Sequence, residues 1–353
     1  MATRIEVSAS RAGWRVAYHR VDPGRLLVGT TPGDALRLVP SLLPVCGEAQ
    51  RIAAARALES AQGIPASAAD ERKRERLLLR EQGLAAAWRL LVDWPRAAGR
   101  PADLPTMKTL RRADDVSLGR GILSLLPAPV TVPASGPSLL ARLIEEATSG
   151  ESCISTTLLR RALQLESAAE APPLATLTPA SLFARARDYF ASERCDPVKL
   201  GLASDPLPVT VGPLAMARHP AVRAIGERGE LASPVRLLLA AIVDTAAVAT
   251  ALAGDAPLPA STPEWGDAAA PGLGHSVTAR GPLLHKVSLG NDGRITRWRH
   301  LAPTDWHFAP GGLVERLSAT VTSRGAVDLL LVAADPCAPC TVLSEGDPLP
   351  EAA

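Results

Sequence analysis

Asp335-Pro336-Cys337-Ala338-Pro339-Cys340 places two cysteines, with two residues between them, in a proline-bound turn near the end of the sequence. At that spacing two thiolates can reach one metal ion or close a small disulfide ring. A thioredoxin-like redox pair follows a strand and opens a helix inside a βαβ pattern, a context this pair lacks. Structural zinc needs four ligands, and no second Cys-x-x-Cys or histidine pair at finger spacing supplies the rest. Metal binding and simple burial are the readings left for these thiols.

Working outward, the apolar run 327–333 reads as a strand and 311–323 as a helix. Segments 283–289 and 294–298 flank Gly290-Asn291-Asp292-Gly293, a hairpin signal. Residues 234–254 approach the length and apolarity of a membrane span, but Arg236 and Asp244 inside them favour a buried core helix. Helical patterns cover 49–62, stopped by Gly63-Ile64-Pro65, and 70–94, with Pro95 as terminator and Leu77, Leu78, Trp88, Leu91 and Val92 facing inward. Others cover 138–149, 156–169 and 179–192. Alternation at 4–7, 14–18 and 25–28 predicts a small antiparallel meander. Prolines cluster through 96–137, which suits a long surface excursion or an irregular subdomain, and 254–274, rich in Pro and Ala, reads as a loop. There is no internal repeat. These signals describe a predominantly helical α+β chain with an N-terminal antiparallel sheet and a C-terminal hairpin.

A chain of 353 residues can bury a large core, and 47% hydrophobic with 21% charged residues is a globular composition. The net charge of +2 creates no field to recruit nucleic acid or acidic membrane, and the six tryptophans are not interleaved with a basic stripe. Neither nucleic acid nor membrane is expected as a partner. The start, Met1-Ala2-Thr3-Arg4-Ile5-Glu6-Val7, lacks the apolar core of a secretory signal, so the cytoplasm is the expected compartment. There, thiols outlast disulfides, and five cysteines is an odd number.

Three stretches, in the right order, resemble the NiFe-hydrogenase large subunit. Ala279-Arg280-Gly281-Pro282-Leu283-Leu284-His285 is similar to that family's Pro-Arg-Gly loop and following histidine, with Asp292-Gly293-Arg294-Ile295 as the hairpin after it. Ala302-Pro303-Thr304-Asp305-Trp306 resembles its Pro-Ser/Thr-x-Trp-Asn segment, and residues 335–340 resemble its Asp-Pro-Cys-x-x-Cys. The family's N-terminal Cys-Gly-x-Cys is represented by a single cysteine. Pro32-Gly33-Asp34-Ala35 before it, and Arg56, Ala57 and Glu59 after it, resemble flanking landmarks of that motif. An ungapped count from either puts Cys46 on the second family cysteine and Leu43 on the first.

The resemblance implies a large-subunit-like fold forming one domain. Residues 1–30 would form the sheet, 31–95 the first metal-motif helices, 96–278 a divergent helical middle with loops, 279–343 the C-terminal site segment and 344–353 a tail. It also implies that Cys46 and Cys340 correspond to thiolates bridging nickel and iron, and Cys337 to a nickel-only ligand. Leu43 removes the other nickel ligand, so nickel is not expected and the iron side remains. An Fe(CN)2CO fragment can be held by two soft thiolates, and its cyanides accept hydrogen bonds in a pocket of low polarity. Arg280 and Thr304 resemble the family's cyanide contacts, with Pro303 and Ala279 as apolar neighbours of the diatomic ligands. Gly24 falls at the family's proton-relay glutamate, Gln50 at a histidine after the metal motif, and Leu343 at the histidine after which enzyme precursors are cut.

Each residue also has a plainer reading. Cys46 can be a buried small residue at a helix start, and Arg280 can brace the hairpin or neutralise Asp335. Thr304 can cap the segment around Trp306. His285 reads as a structural hydrogen-bonder, and Cys153 and Cys195 have no partner at useful spacing. The whole profile, including Arg80-Glu81 to Asp93-Trp94-Pro95, is similar to hydrogenase accessory proteins of the HupK/HoxV type. That kinship implies a non-enzymatic maturation scaffold, a metallochaperone that transiently carries the Fe(CN)2CO iron fragment. Its implied partners are an iron-loading maturation complex and a hydrogenase large-subunit precursor. The alternatives are a degenerate hydrogenase-like or Cys-x-x-Cys redox enzyme, and a metal-free docking protein.

Overall fold

In the computed structural model the described residues are 3–10, 13–131, 136–150, 153–166, 174–177, 179–192, 196–228, 231, 233–256, 270–321 and 323–343. Cys195, the 344–353 tail and most of the 254–274 loop lie outside them. Alternating residues at the start produce β1 (Arg4–Ser10) and β2 (Gly13–His19), antiparallel with Arg4 opposite His19. The expected third strand at 25–28 does not form. Pro23–Leu27 is a 3-10 turn opened by Asp22, whose carboxylate accepts from the Gly24 N–H. A proline and a side-chain cap favour a turn over an extended strand.

α1 (Pro32–Leu42) begins with Thr31 capping the Asp34 N–H, and a 3-10 turn at Pro44–Cys46 delivers the chain into α2 (Gly47–Gln62). Gly63, in the left-handed conformation at φ 69°, ends α2 where the sequence predicts a stop. α3 (Ala68–Trp88) starts at Ser67, and Pro95 does not terminate it. The chain passes through a π turn, Arg89–Asp93, into a short helix Trp94–Ala97, where Pro95 occupies an N-terminal position that needs no N–H. The turn places Arg89 inside, whereas Trp88, expected in the core, is 42% exposed.

The described residues 96–131 are largely helical, neither a surface excursion nor irregular chain. Helices Leu104–Arg112 and Asp115–Leu123 open on the aspartate caps Asp103 and Asp114, and Leu118 and Ile122 are fully buried. Their prolines mark helix starts and joints instead of irregular chain. The second of these helices packs on α4 (Ser233–Ala253), as do α3, Ile154–Glu166 and Pro220–Glu227. α4 is long and apolar enough to cross a membrane, but 83% of its most apolar window is buried inside the protein. Leu238, Leu239 and Ile242 are fully buried there, each contributing roughly 2 kcal/mol. Asp244 is paired by Arg218 Nε and Nη2, at 2.9 and 2.6 Å.

The expected hairpin forms and gains a strand. β3 (Leu273–Thr278), β4 (Gly281–Leu289) and β5 (Ile295–Leu301) make an antiparallel sheet in that order, and α2 crosses β3 and β4. After β5 come α5 (Pro303–Phe308), a short helix Leu313–Ser318 in place of the longer one read at 311–323, and α6 (Arg324–Ala334). α6 replaces the predicted strand at 327–333. Val327, Leu330, Leu331 and Ala334 are its buried residues at helical spacing, a pattern that a short apolar run hides. β6 (Cys340–Leu343) then pairs parallel to β1, Cys340 opposite Ile5, and supplies the third strand of the first sheet. This pairing brings the cysteine turn beside the N-terminal strands.

Three histidines in and after the C-terminal sheet are buried. Burial holds His285 and His300 well below the usual 6.5 and lowers His307 to about 4. Arg20 lies 3.4 Å from His300 Nε2, which a neutral imidazole can accept. Their folded pKa values lie below the unfolded one, so their stabilisation is complete above pH 6.5 and is lost as pH falls toward 4. Unfolding stability should therefore decline below pH 6.5 with a slope of up to about 4 kcal/mol per pH unit for the three together. Urea titrations at pH 7.5 and 5.5 test this, and equal midpoints would contradict it.

Candidate metal centre

Cys46 is buried at the N-cap of α2, yet makes no capping hydrogen bond there. The orphan N–H groups of the first turn go to another helix. Glu81 of α3 accepts from the Glu48 N–H at 2.8 Å and the Ala49 N–H at 2.9 Å. The sulfur is thereby free of capping duty. Glu81→Ala should cost about 1–2 kcal/mol of stability, read from the urea midpoint. A midpoint unchanged from wild type would remove Glu81 from this role.

Arg280 follows β3. Thr278 Oγ1 accepts from the Arg280 N–H at 3.0 Å and donates to the Gly281 carbonyl at 2.9 Å. Gly281 has φ +131°, and a Cβ there would lie 2.4 Å from the Val211 carbonyl oxygen, so close packing requires the glycine that follows Arg280. The guanidinium does two jobs. Nε donates to the Asp335 carbonyl at 2.9 Å and Nη2 to its carboxylate at 3.2 Å, while Nη1 points to Cys46 Sγ at 3.7 Å. Asp335, at φ +47°, also receives Arg89 Nη2 at 2.7 Å on its other oxygen. Burial would raise the Asp335 carboxyl, but Arg280 and then Arg89 hold it below its usual value.

Thr304 in α5 holds Cys337 instead of capping its own helix. Its Oγ1 lies 2.8 Å from Cys337 Sγ and accepts the Cys337 N–H at 3.2 Å. Asp305 makes the cap, accepting the Ala302 N–H at 2.7 Å. Its second oxygen receives the Tyr18 hydroxyl at 2.8 Å and Arg20 Nε at 2.7 Å. Tyr18 and Arg20 carry no motif, and sequence reasoning did not single them out.

Cys46, Cys337, Arg280, Pro303, Leu43 and Gln50 line one cavity of about 660 Å³. Thr304, Ala279 and Cys340 do not line it. Cys340 is half-buried at the first residue of β6, so in this arrangement Cys46 shares the cavity with Cys337. Burial pushes the Cys46 thiol up to about 12, against the pull of Arg280, and pushes Cys340 up to about 12 as well. It raises Cys337 despite the Thr304 hydrogen bond. These thiols are protonated near neutral pH, and a soft cation entering the cavity must displace those protons. No group of three or more His, Cys, Asp or Glu forms a ready-made metal cage among the described residues. Two thiols and a guanidinium on one cavity fit a cargo that brings most of its own ligands.

The resemblance implies a departure from the enzyme pattern at two positions, Leu43 and Gly24. Leu43 presents an aliphatic side chain to the cavity, and no metal-binding atom. A Cβ on Gly24 would lie 2.6 Å from the Trp298 carbonyl oxygen, so a relay glutamate has no room there without backbone movement. His285, fully buried, hydrogen-bonds Gln50 Oε1 at 2.7 Å and takes the structural part read for it.

No family model matches the chain. It is 33% identical to the hydrogenase expression/formation protein HupK of Azotobacter vinelandii, over 89% of this chain and 88% of that one. It is likewise 33% identical to the hydrogenase expression/formation protein HupV of Azotobacter chroococcum mcd 1, with the same coverage. Among solved structures, the Ni-Fe-Se hydrogenase from D. vulgaris Hildenborough in the reduced state aligns with a TM-score of 0.55 at 15% identity, covering 92% of this chain and 93% of that one. At that identity the likeness concerns the fold alone, which is that of NiFe-hydrogenase large subunits. By sequence, over nearly its full length, the chain belongs to the HupK family of hydrogenase expression/formation proteins.

Proposed function

We propose that this protein serves hydrogenase maturation as a scaffold that takes up an Fe(CN)2CO fragment, holds it between thiols and passes it on. The observation that carries the reading is that Cys46 and Cys337, far apart in sequence, line one cavity with an Arg280 N–H 3.7 Å from the Cys46 sulfur. The thiols would bind the iron as soft thiolates and release their protons to water, and Arg280 would stabilise the negative charge of the thiolate-bound fragment. Carrying is favoured over turnover because Leu43 offers nickel no ligand and Gly24 leaves no relay carboxylate. Two thiolates release cargo more readily than a complete four-thiolate binuclear site.

The names of the relatives support a role in hydrogenase formation. The partners we propose are an iron-loading complex as donor and a hydrogenase large-subunit precursor as acceptor, meeting this protein in the cytoplasm. Protein purified anaerobically from a hydrogenase-producing host should show infrared bands of iron-bound cyanide and carbonyl. A band-free spectrum under full induction would contradict the scaffold reading.

A further inference from the structure

Gln50 is 7% exposed and lies one helical turn beyond Cys46 on α2, a spacing that sets both on one helix face and, here, on the same cavity. Its side-chain oxygen is taken. His285 Nε2 sits 2.7 Å from Gln50 Oε1, and His285 is itself fixed, fully buried and edge-on to Trp298 at 5.5 Å. Nε2 faces an amide oxygen while Nδ1 has no partner, so the tautomer that fits these contacts carries its proton on Nε2 and donates it to Gln50. The Gln50 amide nitrogen, with two N–H donors, is left without a protein partner on a wall that also holds Leu43, Pro44 and Leu283.

A bound Fe(CN)2CO fragment carries two cyanide nitrogens that need donors. Arg280 already spends one N–H on Cys46 and two on Asp335, and its remaining N–H groups can serve one cyanide. Thr304 is engaged with Cys337 and does not line the cavity. We infer that the Gln50 amide, oriented by His285, is the donor to the second cyanide, the task that family resemblance assigns to Thr304. This rests on the scaffold reading and names the residue that selects cyanide as the cargo's ligand.

The experiment compares infrared spectra of anaerobically loaded wild type, Gln50→Met and Gln50→Glu. Met keeps the length and removes both donors, while Glu keeps an acceptor for His285 and offers the cavity no N–H. In either variant one cyanide band should be displaced while the other cyanide band and the carbonyl band stay nearly in place. Bands that all remain at wild-type positions, or that all move together as they would for a change at the iron-bound sulfurs, would overturn the inference and leave the scaffold reading intact. A wild-type protein without any such bands would overturn the scaffold reading and this inference with it. Should Gln50→Met fail to fold, Gln50→Glu alone decides between these outcomes.

Discussion

Arg280→Ala should destabilise the metal-free protein by about 3 kcal/mol and abolish retention of the iron fragment. Half-buried Asp335 has an arginine on each side, and removing the buried Arg280 leaves its carboxylate to Arg89 alone. Breaking a buried pair by deleting one partner costs about 3–5 kcal/mol, and the surviving Arg89 contact places this case at the lower end. The same truncation removes the N–H at Cys46, so cargo charge loses its nearest counter-ion. Arg280→Lys should recover much of the stability and little of the retention, because an ammonium lacks the planar fork that serves Asp335 and Cys46 together. Urea unfolding and iron content after anaerobic desalting separate the two effects. A wild-type midpoint for Arg280→Ala would contradict the paired-charge account.

The second large effect concerns the thiols. Cys46→Ala and Cys337→Ala should each weaken iron retention by at least about 100-fold, since loss of an outer partner alone costs 10–100-fold. Cys340→Ala should cost less, because Cys340 begins β6 and does not face the cavity. Family resemblance gives Cys340 the more important bridging role. Titrating retained iron in the three variants decides between the two assignments: equal losses in Cys340→Ala and Cys46→Ala would contradict the cavity geometry described above.

Much of the fold was legible where local chemistry and global packing agree. Gly63 stops α2, and Gly290 to Gly293 turns β4 into β5, because a left-handed or tight backbone leaves a glycine signature. The N-terminal sheet was half legible. β1 and β2 alternate, but their third partner is β6 from the opposite end of the chain, a pairing that no local pattern encodes. α6 was misread because a short apolar run carries both periods, and Pro95 misled because a proline in the first turn of a new helix resembles one that ends an old helix.

Within the site, the Arg-Gly pair and the cysteines were visible as motifs, whereas the residues that orient them were not. Glu81, Arg89, Tyr18 and Arg20 reach the centre from other elements through tertiary contacts alone. Thr304 was found by its motif, but its hydroxyl is engaged with Cys337 and the residue does not line the cavity. Motif position fixes a residue's neighbourhood, and the direction of its side chain is settled by competing hydrogen bonds.

Iron K-edge X-ray absorption on the anaerobically loaded protein tests most directly whether two thiols grip the fragment. The account predicts two sulfur scatterers beside short iron–carbon bonds, with the sulfur shell depleted in Cys46→Ala and in Cys337→Ala. An iron shell of nitrogen and oxygen alone, or a sulfur shell untouched by both substitutions, would contradict it.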